Sequence, residues 1–173
     1  LFDSGSIWRI LARIAPPVMF SQLILSLYNI VDSYFVGQYT ADGLTALSVV
    51  YPIQIVITAL AVGTGVGVNT HMARMYAQHR DDEADTTAGA GLFLSLITWV
   101  IFAAFSALIM RPFVEASAES QAAVEYGVTY GLIVCVGSVG TFAESIFTKV
   151  HQAQGNMKLP MAAQVAGAVT NVV

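Results

Sequence analysis

"GLFLSLITWVIFAAFSALIM", residues 91–110, is a run of twenty residues that contains no charged side chain. A helix that crosses the hydrocarbon core of a bilayer needs roughly 20 consecutive, mostly apolar residues. The whole chain shares this character, because 56% of its residues are hydrophobic and 10% are charged, whereas water-soluble domains carry about 25% charged residues. The sequence therefore predicts an all-α integral membrane protein.

Five segments of the chain are apolar enough to be membrane helices, and short polar connections separate them. None alternates polar and apolar residues with the period of two that a membrane strand requires, so helices are favoured. We expect four complete spans and a fifth that continues past the last residue of the sequence: 14–37, 44–72, 87–110, 122–148 and 159–173.

The basic residues predict how these spans are oriented. Arg111 lies on one side of the predicted membrane, and the other six Lys and Arg residues lie on the opposite side. Because loops rich in Lys and Arg remain in the cytoplasm, we expect a multi-pass protein of the plasma (inner) membrane with a cytoplasmic N-terminus. The six residues are Arg9, Arg13, Arg74, Arg80, Lys149 and Lys158.

Several function classes are not supported by the sequence. The net charge of −4 is mild and predicts no nucleic-acid partner. The alternating Gly63, Gly65 and Gly67 lack the preceding strand and the downstream acid of a dinucleotide fingerprint. Close helix packing or a locally bendable helix is favoured there and at the GxxxG pair Gly127 and Gly131. No metal-ligand spacing or nucleophile motif is present, and we expect neither an enzyme nor a cofactor.

Polar residues follow one side of the first predicted helix. At about 100° per residue, four of them form a narrow stripe and three more lie beside it, while the opposite face is apolar. Such residues either tie helices together, each for about 1 kcal/mol or less, or line a cavity; the first explanation suffices for Ser26 and Gln22. The stripe, here named the polar file, is Gln22, Ser26, Asn29 and Ser33, and its neighbours are Ser21, Tyr28 and Asp32.

Asp32 needs more explanation than the rest of the file. A carboxylate at the centre of a bilayer costs roughly 2.5–3.5 kcal/mol, and less toward the outer end where Asp32 is predicted to lie. Since no Lys or Arg occurs within the body of a predicted span, we expect Asp32 to bind a proton or a cation, as the coupling site of an ion-driven transporter does. Glu144 is a second candidate, although an ion pair with Lys149, about one turn away, is the simpler interpretation.

Two segments resemble the MATE (multidrug and toxic compound extrusion) family. They are "PPVMFSQLILSLYNIVDSYFVGQYTADGLTALSVVYPIQ", residues 16–54, and "QAQGNMKLPMAAQVAGAVTNVV", residues 152–173. The first contains the Asp and the Phe-Val-Gly of the family's first helix, and the second its Gly, Pro and late Asn. The second and fourth connections depart from the family's usual residues, which leaves the subfamily open.

The resemblance implies a secondary transporter of twelve helices in two six-helix lobes around a central cavity. This chain would be helices one to five of the N-terminal lobe, and the C-terminal lobe and membrane lipid would be its partners. Such proteins export amphipathic, often cationic, organic compounds in exchange for Na⁺ or H⁺. Asp32 matches the cation-coupling carboxylate and Asn171 an Asn of the same pocket, so both would bind the metal if the ion is Na⁺. Further cavity-lining candidates are Tyr28, Asn29, Gln22, Ser26, Ser33 and Gln164.

Two other functions stay open on the sequence. A flippase for lipid-linked oligosaccharides or peptidoglycan precursors would share the scaffold, but it would be expected to have basic residues within the membrane. A non-transporting membrane assembly protein would need the polar file only to hold helices together.

Overall fold

The computed structural model describes residues 7–39 and 41–172, and ten side chains inside these ranges lie outside the described part. The described residues form α-helices and no strands, which confirms the predicted all-α fold. The helices are α1 (Ile7–Tyr39), α2 (Ala41–Ala77), α3 (Asp81–Glu115), α4 (Gln121–Gly137), α5 (Val139–Ala153) and α6 (Lys158–Val172). The ten side chains are those of Ile7, Arg9, Ile10, Arg13, Ile14, Tyr28, Asp32, Tyr39, Asn171 and Val172.

Each predicted span lies within this set of helices. Three segments of the described chain are long and apolar enough to cross a membrane: Ala41–Ala77, Asp81–Glu115 and Gln121–Ala153. The first predicted span lies in α1 and the fifth in α6, and their crossing of the membrane stays a prediction.

The fourth predicted span is divided into two helices at Ser138. Gly137 and Gly140 flank this position, and glycine is a poor helix former. The carbonyl groups released by the break receive other donors: Trp99 Nε1 of α3 donates to the Val136 carbonyl at 3.2 Å, and Ser138 Oγ donates to the Cys135 carbonyl at 2.7 Å. These bonds matter because lipid offers no water to an unpaired backbone carbonyl.

The tightly packed part of the chain is a bundle of α2, α3, α4 and α5. Phe142 and Met72 are fully buried within it, and α2 contacts each of the other three helices. Its buried apolar residues form two clusters, one of Ile57, Ala61, Met110, Val114, Val124, Val128, Cys135 and Phe142, the other of Val68, Met72, Met75, Ala84, Ile146 and Ala153. We refer to these four helices as the core bundle.

No described side chain of α1 or α6 belongs to either cluster. The two helices contact each other, and α1 contacts α2 while α6 contacts α5. Among the described side chains of α1, Ser21 is the one that is buried, whereas Phe20 and Ile30 are exposed. We refer to α1 and α6 as the outer pair.

Small residues allow the helices of the core bundle to approach closely. A Cβ atom on Gly127 would lie 2.8 Å from Val114 Cγ1, and one on Gly65 would lie 2.8 Å from Lys149 Cγ. A Cβ on Gly131 would overlap with Met110 Sδ. The predicted packing role is therefore confirmed for these three glycines. At Gly63 and Gly67 a Cβ would meet no described atom within 4 Å, which leaves the alternative of a locally bendable helix for these two.

Polar contacts mark the two ends of the bundle. At one end, Gln154 Nε2 donates to the Tyr76 hydroxyl at 3.2 Å, close in sequence to Arg74, Arg80, Lys149 and Lys158; we name this the basic end. At the opposite end, Ser120 Oγ donates to Asp42 Oδ1 at 2.7 Å, and Arg111 pairs with Glu125 at 3.2 Å. The segments α2, α3 and α4–α5 therefore alternate in direction.

Candidate functional site

The polar file of α1 does not act as a bridge between described helices. Asn29 Nδ2 donates to the Leu25 carbonyl at 2.8 Å, and Ser33 Oγ donates to the Asn29 carbonyl at 2.9 Å, both within the same helix. Gln22 and Ser26 are exposed and have no hydrogen bond to another described residue. The bonding between helices that would explain Ser26 and Gln22 is therefore not seen within the described part, and the role of these two residues stays a prediction.

A cavity of about 170 Å³ lies between α1, α2, α5 and α6, nearer the basic end. Its polar lining includes Gln22 of the polar file and Gln164, which were both predicted to line a cavity. Its apolar lining includes Val18 and Met161. The remaining lining residues are Ser21, Val62, Glu144, Ser145, Thr148, Lys149, Gln152, Met157 and Pro160.

Glu144 is the carboxylate of this cavity. Its Oε1 atom accepts a hydrogen bond from Thr148 Oγ1 at 2.6 Å and another from Gln164 Nε2 at 3.1 Å. Thr148 lies one turn later on α5, and Gln164 lies on α6, so the second bond joins the core bundle to the outer pair. The Oε2 atom has no hydrogen-bond partner among the described residues.

The expected ion pair between Glu144 and Lys149 is not formed, although the structure describes both side chains. Residues five apart on a helix are separated by about 140°, so they lie on different faces, whereas residues four apart are neighbours. Lys149 Nζ instead donates to Gln152 Oε1 at 3.1 Å. The cavity therefore holds a carboxylate and an ammonium group that do not neutralise each other directly.

The wall formed by α2 and α5 is fixed by bonds to backbone carbonyls. Ser145 Oγ donates to the Ala61 carbonyl at 2.9 Å, and Asn69 Nδ2 donates to the Lys149 carbonyl at 2.8 Å. The absence of a side chain at Gly65 brings the two helices close enough for both bonds. This wall is rigid, whereas the wall formed by α1 and α6 has few bonds to the core bundle.

The predicted site residues are distributed unevenly around this cavity. Gln22 and Gln164 line it, and Asn29 and Ser33 follow farther along α1 and are exposed. The side chains of Asp32, Tyr28 and Asn171 lie outside the described residues, so their roles stay predictions. Within the described part, no three His, Cys, Asp or Glu side chains come together as metal ligands.

The predicted site did not include Glu144, Thr148, Lys149 or Gln152, which also line the cavity; Glu144 and Lys149 were interpreted as an ion pair. For two of these residues, Glu144 and Thr148, a signal was present in the sequence: they are four residues apart in an apolar segment. Such a pair presents a carboxylate and a hydroxyl on one helix face.

Comparison with known proteins relates this arrangement to a transporter family. A family model described as MatE matches residues 17–173. A Shewanella oneidensis protein named FAD transporter is 19% identical over 98% of this chain and 38% of its own length. A Bacillus subtilis protein named probable multidrug resistance protein YoeA is 18% identical over 96% of this chain and 36% of its own length.

The fold is also found among solved structures. A MOP superfamily transporter from Pyrococcus furiosus is similar with a TM-score of 0.91 and 25% identity, over 97% of this chain and 37% of that structure. The chain thus spans less than two fifths of the length of each of these three relatives. Because the family model covers residues 17–173, which is most of the chain, the chain belongs to the MatE family.

Proposed function

We propose that this chain is part of a cation-coupled antiporter that exports amphipathic organic compounds, many of them cationic, across the plasma membrane. Its helices form part of one lobe, and further helices of the same protein complete the transporter. The basic end faces the cytoplasm, and the coupling ion is H⁺ or Na⁺.

The observation that carries this proposal is the match to the MatE family over residues 17–173. Relatives named as multidrug resistance or export proteins support the substrate class, among them the Bacillus subtilis protein. The Pyrococcus furiosus structure supports the transporter fold.

The mechanism follows from the division between the outer pair and the core bundle. Asp32 binds the coupling cation, with Asn171 as a second ligand and Tyr28 and Asn29 as hydrogen-bonding neighbours. Substrate and cation compete for the carboxylate, so binding of one releases the other. Since α1 and α6 lie outside the buried clusters of the core bundle, they can move during this exchange without opening those clusters.

A second candidate substrate class is an organic anion. One relative, from Shewanella oneidensis, is named FAD transporter. Lys149 lines the cavity together with Glu144, so the cavity has a group that suits a phosphate or carboxylate.

Substitution of Asp32 tests the coupling role. In the full-length protein, Asp32→Asn keeps the size and an oxygen acceptor but removes the charge. We expect ethidium export from cells to fall to the background level, and neither acid nor Na⁺ to displace ethidium bound to the purified protein. The matched control is Asp42→Asn, which changes the carboxylate that accepts a hydrogen bond from Ser120. This variant should export like the wild type.

Normal expression with wild-type export by the Asp32→Asn variant would show that Asp32 is not the coupling residue. Ethidium displacement by cations distinguishes the antiporter from an assembly protein, which would not bind ethidium. Uptake of FAD into inside-out vesicles, without transport of ethidium, would favour the anion exporter.

A further inference from the structure

Glu144 has the features of a second cation site. It is exposed and lines the cavity between α1, α2, α5 and α6. Thr148 and Gln164 both donate to Oε1, which fixes the orientation of the carboxylate, while Oε2 has no described partner. A positioned carboxylate with one oxygen available is suited to receive a proton or to coordinate a monovalent cation.

The size of the cavity indicates what it holds. Pockets for drug-sized ligands usually measure about 300–1,000 Å³, and this cavity measures about 170 Å³. A water molecule needs only about 10–15 Å³ of such volume, with polar partners around it. The cavity therefore accommodates several waters and a small cation, and it is too small for an organic substrate of drug size.

The cavity connects to the predicted coupling residue through the polar file. Gln22 lines the cavity, and Ser26, Asn29 and Ser33 follow it along α1 toward the position of Asp32. Asp32 follows Gln22 by ten positions, which at a rise of 1.5 Å per residue is a distance of about 15 Å along the helix. A cation that leaves the neighbourhood of Asp32 has polar groups along this distance before it reaches Glu144.

We propose that Glu144 is a release station for the coupling cation, which binds it briefly between the Asp32 region and the basic end of the lobe. This inference rests on the proposed antiport. The ligand is the cation shared by both coupling modes, H⁺ or Na⁺; for Na⁺, the Glu144 carboxylate and the amide oxygens of Gln22 and Gln164 would be ligands, together with water.

Lys149 weakens the binding of a cation at Glu144, and a release site requires weak binding. Its ammonium group lines the same cavity and is held by Gln152, so it repels a second cation near Glu144. A conduction site must bind an ion well enough to admit it and weakly enough to let it leave. Of the described lining residues, Glu144 and Lys149 on α5 are the titratable ones; α1, α2 and α6 contribute Ser21, Gln22, Val62 and Gln164 on the facing sides.

The test uses Glu144→Gln in the full-length protein reconstituted into vesicles. Glutamine keeps an oxygen that can accept from Thr148 and Gln164, so the hydrogen bonds are preserved while the charge is lost. We expect ethidium transport driven by a pH gradient or a Na⁺ gradient to slow by about tenfold or more, as is usual when a positioned proton carrier is removed.

Three measurements complete the design. Displacement of bound ethidium by acid or Na⁺ should be unchanged in Glu144→Gln, since Asp32 is intact, and this also reports that the protein is folded. Glu144→Asp should retain most of the transport. Glu125→Gln, which changes an exposed carboxylate of α4 at the opposite end, should behave like the wild type. The gradient that drives transport identifies the cation as H⁺ or Na⁺.

Transport by Glu144→Gln within about twofold of the wild type would overturn the station, because a positioned proton carrier contributes far more than that. Loss of cation-dependent displacement in this variant would also overturn it, by making Glu144 the coupling residue itself. Other results would contradict the antiport proposal itself. In that case the wild-type protein would show no gradient-driven ethidium transport, or Asp32→Asn would transport normally.

Discussion

The core bundle and the outer pair differ in how far their side chains are buried. In the core bundle, α2 contacts α3, α4 and α5, its apolar residues are buried in two clusters, and glycines bring the helices close together. In the outer pair, α1 buries Ser21 among its described side chains, and Ser26, Asn29 and Ser33 of its polar file are exposed. The difference indicates that packing among α2–α5 stabilises the described part of the chain, whereas α1 and α6 add no described side chain to the two buried clusters.

The strongest test of this difference removes a large aromatic side chain from each region. Phe142 of α5 is fully buried, and Phe20 of α1 is 49% exposed. We expect Phe142→Ala to destabilise the full-length protein by about 3–5 kcal/mol, because the neighbouring helices cannot fill the space. Phe20→Ala should change the thermal unfolding temperature very little, as measured by fluorescence-detected size exclusion. Equal effects would remove the distinction between the two regions.

A smaller effect is expected from adding volume at helix contacts. Gly131→Val of α4 would push against Met110 of α3, and overpacking of this kind costs about 1–3 kcal/mol. Gly167→Val of α6 is the matched control, because a Cβ there meets nothing within 4 Å. Thermal unfolding of both variants measures the difference, and a larger loss of stability for Gly167→Val would contradict it.

The smallest effect concerns single hydroxyl groups. Ser95 Oγ of α3 is buried and donates to the Phe142 carbonyl at 3.2 Å, so it joins two helices. Ser33 Oγ bonds within α1. Interhelical bonds in membrane proteins average about 0.6 kcal/mol, and we expect Ser95→Ala to lose about that much in reversible unfolding. A greater loss for Ser33→Ala would show that α1 is bound to the lobe more firmly than its contacts indicate.

The break at Ser138 shows where the sequence was insufficient for the fold. Residues 122–148 have the composition of one membrane helix, and Gly137 and Gly140 are equally compatible with close packing. Whether a helix breaks at such a position depends on donors for the released carbonyl groups. One donor, Trp99, is 37 residues away from Val136 in the chain, and only the packing of α3 against α4 brings the two together.

The site residues predicted from the sequence lie on α1 and α6, whereas Glu144 of α5 was interpreted as part of an ion pair. Gln22 and Gln164 were found because helical spacing places polar residues on one face, and both line the cavity. Glu144 was assigned to Lys149 because the two are near in sequence. The true partner on α6, Gln164, is twenty residues away.

The sequence by itself determined the membrane class, the all-α fold and the family, because these depend on composition, on the length of apolar runs and on local motifs. Only the tertiary structure decided which helices form the core bundle, which glycines are close contacts and that Glu144 meets Gln164 in a cavity. Those features depend on how helices far apart in the chain lie beside one another, and helical periodicity fixes the faces of each helix without choosing its neighbours.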